Sequence, residues 1–169
     1  LDGSWLLIIF AGNDTTRNTL SGAIKLLTEN PEQKQKLIEN PELMPNFLQE
    51  CIRMVSPVIH MRRTTTCETE LGGQLMGPGE KIVMWYGAAN RDPSVFANPD
   101  KFDIERENAD KHLAFGIGRH TCVGKPVALM QLEESYKQIL SRFPNIHMSG
   151  NWKVAPNNFV HAIQEMPVK

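Results

Sequence analysis

Phe115-Gly116-Ile117-Gly118-Arg119-His120-Thr121-Cys122-Val123-Gly124 sets one cysteine in a glycine-punctuated loop. The loop runs directly into an apolar-periodic stretch, residues 123–143, that reads as a helix. A thiolate at a helix N-terminus is stabilised by the helix dipole and by the free N–H groups there. Gly118, four residues before the sulfur, and Gly124, two after it, let backbone pass close to something large and flat.

Outward from this loop the chain changes period twice. Residues 90–111 are rich in Pro, Asp and Asn and lack periodicity, which predicts a long ordered loop or meander. Before it, residues 60–64, 68–71 and 81–86 are short strand candidates separated by Gly72-Gly73 and Pro78-Gly79. Farther upstream three helices are predicted, over residues 4–28, 31–39 and 45–55. Asn30-Pro31 and Asn40-Pro41 punctuate them, and Ser56-Pro57 ends the last. The tail, residues 146–168, carries weak strand signals. The expected class is mainly α with small β-sheets, in one domain over residues 1–169.

Two further groups of residues carry chemistry. Ala11-Gly12-Asn13-Asp14-Thr15-Thr16 lies inside the first helix, where Gly, Asp and Thr are poor choices. That clustering predicts a local opening of the helix, and a carboxylate beside a hydroxyl can relay protons. The competing reading is a close helix crossing over Gly12 with a Thr bonded back to the preceding turn. Glu50 and Arg53 stand at i and i+3 on one helix face, ordinarily a solvated pair worth little. The apolar Cys51 and Ile52, and a second arginine, Arg106, in the meander, favour a buried pair instead.

Composition sets the bounds. The 169 residues are 41% hydrophobic and 22% charged with net charge −1, an ordinary globular balance that gives no argument for nucleic acid. Cys51, Cys67 and Cys122 do not make a disulfide framework, so a reducing cytoplasm is expected. The apolar run 5–10 is far shorter than the ~20 residues a membrane span needs and reads as a buried helix. The chain opens on Leu1 within helix-like sequence, which suggests a piece of a longer protein.

Taken in order, these motifs resemble the C-terminal part of the cytochromes P450. The cysteine loop resembles the haem-binding loop of that family, in which the thiolate is an axial iron ligand that favours O–O cleavage. The resemblance implies the long distal helix, the Glu-x-x-Arg helix, the meander, the cysteine loop and a proximal helix. Cys122 would then be the ligand to haem b (iron protoporphyrin IX), with O2 as co-substrate. Phe115 would shield the sulfur, and Gly116, Gly118 and Gly124 would permit the bend. His120 and Arg63 would meet haem propionates. Ala11 and Gly12 would leave room for oxygen above the haem, while Asp14 and Thr15 would deliver protons during its activation. Glu50, Arg53 and Arg106 would form a structural triad that pins the meander. Departures fall after Gly124: Val127-Ala128-Leu129 stands where Leu-Ala-Arg is usual, and Gln131 where Glu is frequent.

Within the family, Asn13-Asp14-Thr15-Thr16-Arg17-Asn18, His60-Met61-Arg62-Arg63 and Val83-Met84-Trp85-Tyr86 look like the bacterial alkane-hydroxylating branch. That implies hydroxylation of the terminal carbon of medium-chain alkanes or fatty acyl chains, with Val58, Ile59 and Met61 lining the substrate channel. It also implies electrons from a ferredoxin and its reductase, no membrane span and a bacterial cytoplasmic setting. Steroid or terpenoid hydroxylation is the runner-up, and a haem-binding sensor or electron-transfer module the non-enzymatic alternative. A zinc site lacks the Cys-x2-4-Cys spacing, and His120 two residues from Cys122 is poorly placed as a base for a nucleophile.

Overall fold

A computed structural model describes residues 2–169, so Leu1 lies outside the described residues. Helix α1 (Asp2–Glu29) is followed by α2 (Pro31–Glu39), a single 3-10 turn (Pro41–Leu43) and α3 (Met44–Val55). Proline occupies the first turn of both α2 and α3, where its missing N–H costs nothing. Helix α3 is the core element. Met44, Phe47, Leu48, Cys51 and Ile52 recur at helical spacing and are all buried.

The strands form two antiparallel pairs here. β1 (His60–Thr64) pairs with β4 (Lys81–Trp85), with Arg62 opposite Val83. Between them β2 (Thr69–Leu71) and β3 (Gln74–Met76) make a hairpin over Gly72 and Gly73. Sequence reading missed β3, whose three residues are too short to show a period. It also ran β4 into Tyr86, which instead starts the short helix α4 (Tyr86–Ala89).

The meander holds only the turn Ala109–Lys111, and the cysteine loop only Gly118–His120. Helix α5 (Lys125–Arg142) then packs back on the core. Tyr136 makes edge contacts with Phe47, ring centroids 5.1 Å apart, and its hydroxyl donates to the Leu20 carbonyl of α1 at 2.6 Å. The tail adds a third antiparallel pair, β5 (Lys153–Val154) with β6 (Ile163–Glu165). It is tied to α1 where Ile163 N–H donates to Asn18 Oδ1 at 3.0 Å.

Helices α1 and α3 cross at Gly22, not at Gly12. A Cβ on Gly22 would stand 2.6 Å from Val55 Cγ2, whereas nothing lies within 4 Å of one on Gly12. The expected opening of α1 is also absent: the helix is continuous through residues 11–16. Thr15 Oγ1 donates to Ala11 O at 2.7 Å, the bond back to the preceding turn that the competing reading expected, and Asp14 pairs with Arg17 at 3.2 Å.

The expectation that residues 5–10 are buried is corrected. They are helical, but Leu6 is 70% and Ile9 64% exposed. A helix turn apolar on every side needs cover on every side, and only Phe10 meets an aromatic, stacking at 6.5 Å on Phe159. Such a patch drives association. The 169-residue chain in dilute buffer is expected to self-associate, and the double substitution Leu6→Gln, Ile9→Gln to shift it towards monomer. Sedimentation velocity at micromolar concentration checks this.

Candidate functional site

The strongest polar cluster joins α3 to the meander. Arg53 Nε and Nη2 donate to the two Glu50 carboxylate oxygens at 2.7 and 2.8 Å, with both side chains wholly buried. Arg106 Nε donates to Glu50 Oε1 at 3.1 Å, and so does the Asp103 N–H at 3.0 Å. The two guanidiniums spend their remaining donors on meander carbonyls. Arg53 reaches Asn90, Pro99 and Lys101, while Arg106 reaches Ala97, Asn98 and Lys101. The three charges singled out in the sequence thus come together.

A second set of hydrogen bonds runs from α3 to the base of the cysteine loop. Asn90 is buried; its Nδ2 donates to Ser56 Oγ at 2.8 Å and its Oδ1 accepts from the Leu113 N–H at 2.6 Å. His112, also buried, accepts at Nδ1 from the Ala114 N–H at 3.2 Å. That fixes the proton on Nε2, which faces Gln49 Oε1 at 3.1 Å. Gln49, Asn90 and His112 were not singled out from sequence. His112 is separated from Gln49 by more than sixty residues, and no local pattern announces the pair.

In the loop itself, Gly116 and Gly118 have φ of 71° and 66°. A Cβ on Gly116 would meet the His120 carbonyl oxygen at 3.0 Å, so both conformation and space call for glycine there. The Cys122 N–H donates to the Phe115 carbonyl at 2.8 Å, closing the loop. Cys122 itself is exposed, flanked by Val123, 97% exposed, and by Ile117, 75% exposed. The Lys125 ammonium sits over the Phe115 ring at 5.5 Å.

The other candidates are more dispersed. His120 is exposed in its 3-10 turn. Arg63 is exposed on β1, its Nη1 donating to the neighbouring Arg62 carbonyl. Val58, Ile59 and Met61 are half-buried beside the aromatic contacts of His60 with Trp85 and Phe159. The groove of about 470 Å3 is lined elsewhere, by residues such as Gly22, Val55, Trp152 and Ile163. Of the other cysteines, Cys67 is exposed and Cys51 buried. Burial, then the Glu50 charge, pushes the Cys51 thiol well up, so it is a packing residue.

Comparison with known proteins is consistent in all directions. A family model described as Cytochrome P450 matches residues 2–164. Linalool 8-monooxygenase of Pseudomonas putida is 38% identical over 166 residues, covering 98% of this chain and 41% of that protein. Steroid C26-monooxygenase of Mycobacterium tuberculosis is 39% identical, covering 96% and 44% respectively. Among solved structures, Cytochrome P450-153 from Novosphingobium aromaticivorans superposes with a TM-score of 0.95 at 44% identity, over 99% of this chain and 42% of that one. The chain therefore spans about two fifths of the length of the relatives it matches.

Two outcomes are expected of this region. Glu50→Gln leaves two buried guanidiniums facing a neutral amide and should cost about 3–5 kcal/mol of stability in urea unfolding. His112 supplies the pH dependence. Burial, then the positive charge of Lys125, holds its pKa down at about 4 against an ordinary 6.5. Between those values the unfolded chain binds a proton that the folded chain refuses. The stabilisation is therefore whole above pH 6.5 and is lost as pH falls towards 4, on the order of 3 kcal/mol. His112→Asn should flatten that part of the urea midpoint profile.

Proposed function

This chain belongs to the cytochrome P450 family, and from that premise we propose that it is the C-terminal part of a haem-thiolate monooxygenase. The favoured substrate is the terminal carbon of a medium-chain alkane or fatty acyl chain. Electrons come from a ferredoxin and its reductase in the bacterial cytoplasm. Among the described residues no helix is long and apolar enough to cross a membrane.

The observation that carries the reading is Cys122. One soft sulfur stands exposed in a loop whose backbone is locked by left-handed glycines and by the Phe115–Cys122 hydrogen bond. That sulfur would hold a haem through its iron. On α1, Gly12 is exposed and has no side chain, so it would not obstruct a group lying against that helix. Haem bound through this sulfur supplies the binding and reductive cleavage of O2 and the oxidising power that attacks a C–H bond.

The protein's own residues supply position and protons. Thr15 Oγ1 donates to Ala11 O at rest, so its lone pairs are free to accept while its proton is committed to the helix. Asp14 Oδ1 accepts from Arg17 Nη2, both side chains being partly exposed. Turning away from Arg17 lets the carboxylate pick up a proton from solvent and carry it towards Thr15. Arg63 and His120, exposed and not committed to a carboxylate, are the donors for haem propionates. Arg119 and Lys125 flank the loop and suit an acidic electron donor, chiefly by steering its approach.

The apolar character of Val58, Ile59 and Met61 supports an alkyl substrate, as does the resemblance to the alkane-hydroxylating branch. Linalool 8-monooxygenase and Steroid C26-monooxygenase among the relatives keep terpenoid and steroid hydroxylation as the second reading. The reduced carbon monoxide difference spectrum of the haem-loaded full-length protein that contains this chain tests the assignment. The red-shifted thiolate band is expected, and Cys122→Ala should abolish it. Survival of the band in that variant sinks the assignment.

A further inference from the structure

We infer that Gln49 and His112 are positioning residues for the Cys122 sulfur, acting through a chain of hydrogen bonds from α3 to the cysteine backbone. The inference rests on the haem-thiolate reading above and adds to it two residues outside the cysteine loop motif.

The chain is continuous. Gln49 Oε1 on α3 accepts from His112 Nε2–H at 3.1 Å. His112 Nδ1 accepts from the Ala114 N–H at 3.2 Å. The next residue, Phe115, turns its carbonyl to the Cys122 N–H at 2.8 Å. Between them the Gly116 N–H donates to the Leu113 carbonyl at 2.8 Å, and the Leu113 N–H is held by Asn90. The N–H groups of Leu113, Ala114 and Gly116 are thus all held within this turn or by Asn90, and the Phe115 carbonyl at its outer end holds the cysteine.

Each link needs the one before it. An imidazole presents an acceptor at Nδ1 only if its proton stays on Nε2, and in a buried site that N–H needs a partner. Gln49 is that partner. Without it the ring gains by flipping, Nδ1 leaves Ala114, and the Phe115 carbonyl is free to swing. The ring also packs against Phe115, centroids 5.6 Å apart, so the aromatic beside the sulfur is fixed by the same histidine. Gln49 stands on α3 next to Glu50, whose side chain is wholly buried against Arg53, so the chain is anchored beside the buried ion pair.

The test uses the haem-loaded protein and two readouts. Loss of the thiolate band in the reduced carbon monoxide spectrum is timed at a moderately raised temperature, and far-UV circular dichroism follows the backbone in the same sample. His112→Phe keeps the ring and removes both links. It should lose the band about tenfold faster than wild type while the backbone signal is intact, the ratio one lost buried hydrogen bond produces. Gln49→Leu, on a half-buried position, should do the same more weakly, and it carries the test if His112→Phe does not accumulate. His112→Asn places an oxygen near Nδ1 and should recover most of the loss. Band decay at the wild-type rate in both His112→Phe and Gln49→Leu, or decay only in step with the backbone signal, overturns the inference. Absence of the band from the unsubstituted protein overturns instead the haem-thiolate reading on which it rests.

Discussion

A wholly buried arginine is the constraint around which this molecule is organised. Arg53 cannot shed its charge, so every donor on its guanidinium must be met inside the protein. Glu50 meets two of them and neutralises the charge. The rest demand carbonyl oxygens, and regular helices and strands have none to spare. An irregular segment has many. In residues 90–106 the carbonyls of Asn90, Ala97, Asn98, Pro99 and Lys101 turn to Arg53 or Arg106, and isolated turns rather than a regular element hold the rest. The meander and the ion triad solve each other's problem: unpaired acceptors on one side, surplus donors on the other. The same arrangement carries Asn90 to the end of α3 and the Leu113 N–H to Asn90, so the cysteine loop begins from a fixed point.

The sequence showed this only in part, for physical reasons. Periodicity and Asn-Pro punctuation place α1, α2, α3 and α5 within one or two residues, because those signals are local. Glu50 and Arg53 are visible as an i, i+3 pair, but their burial depends on Phe102, Ile104 and Arg106 closing over them from the meander. Strand β3 was readable in retrospect. Gly72-Gly73 between two apolar-containing triplets is a hairpin signal even where the strands are too short for alternation. Gln49, Asn90 and His112 had no such signal. Each looks like an ordinary polar residue until chain segments far apart in sequence meet.

The distal end of α1 teaches the opposite lesson. Three residues with poor helix propensity predict a break at Gly12, Asp14 and Thr15, and the helix runs through without one. Propensity counts what a side chain loses in a helix, and here the polar side chains have local remedies. Thr15 and Thr19 bond back to the carbonyls four residues earlier, and Asp14 leans on Arg17. The Asp14 and Thr15 side chains are only half-buried, so their polar groups carry no desolvation penalty large enough to open the helix.

The cysteine loop joins these two halves of the argument. A sulfur proposed as a ligand must be accessible, yet a ligand that wanders loses its geometry. The chain separates the two demands along ten residues. At the base, 112–116 are buried or half-buried, with the Leu113, Ala114 and Gly116 N–H groups hydrogen-bonded; at the tip, Ile117, Cys122 and Val123 stand exposed. The Phe115 carbonyl is the hinge between those regimes, because it belongs to the fixed turn and holds the Cys122 N–H. Left-handed glycines at 116 and 118 let the chain leave the turn and return to it within seven residues. Stiffness is therefore delivered to the sulfur through its backbone rather than its side chain. The sulfur and the apolar side chains of Ile117 and Val123 around it stay exposed.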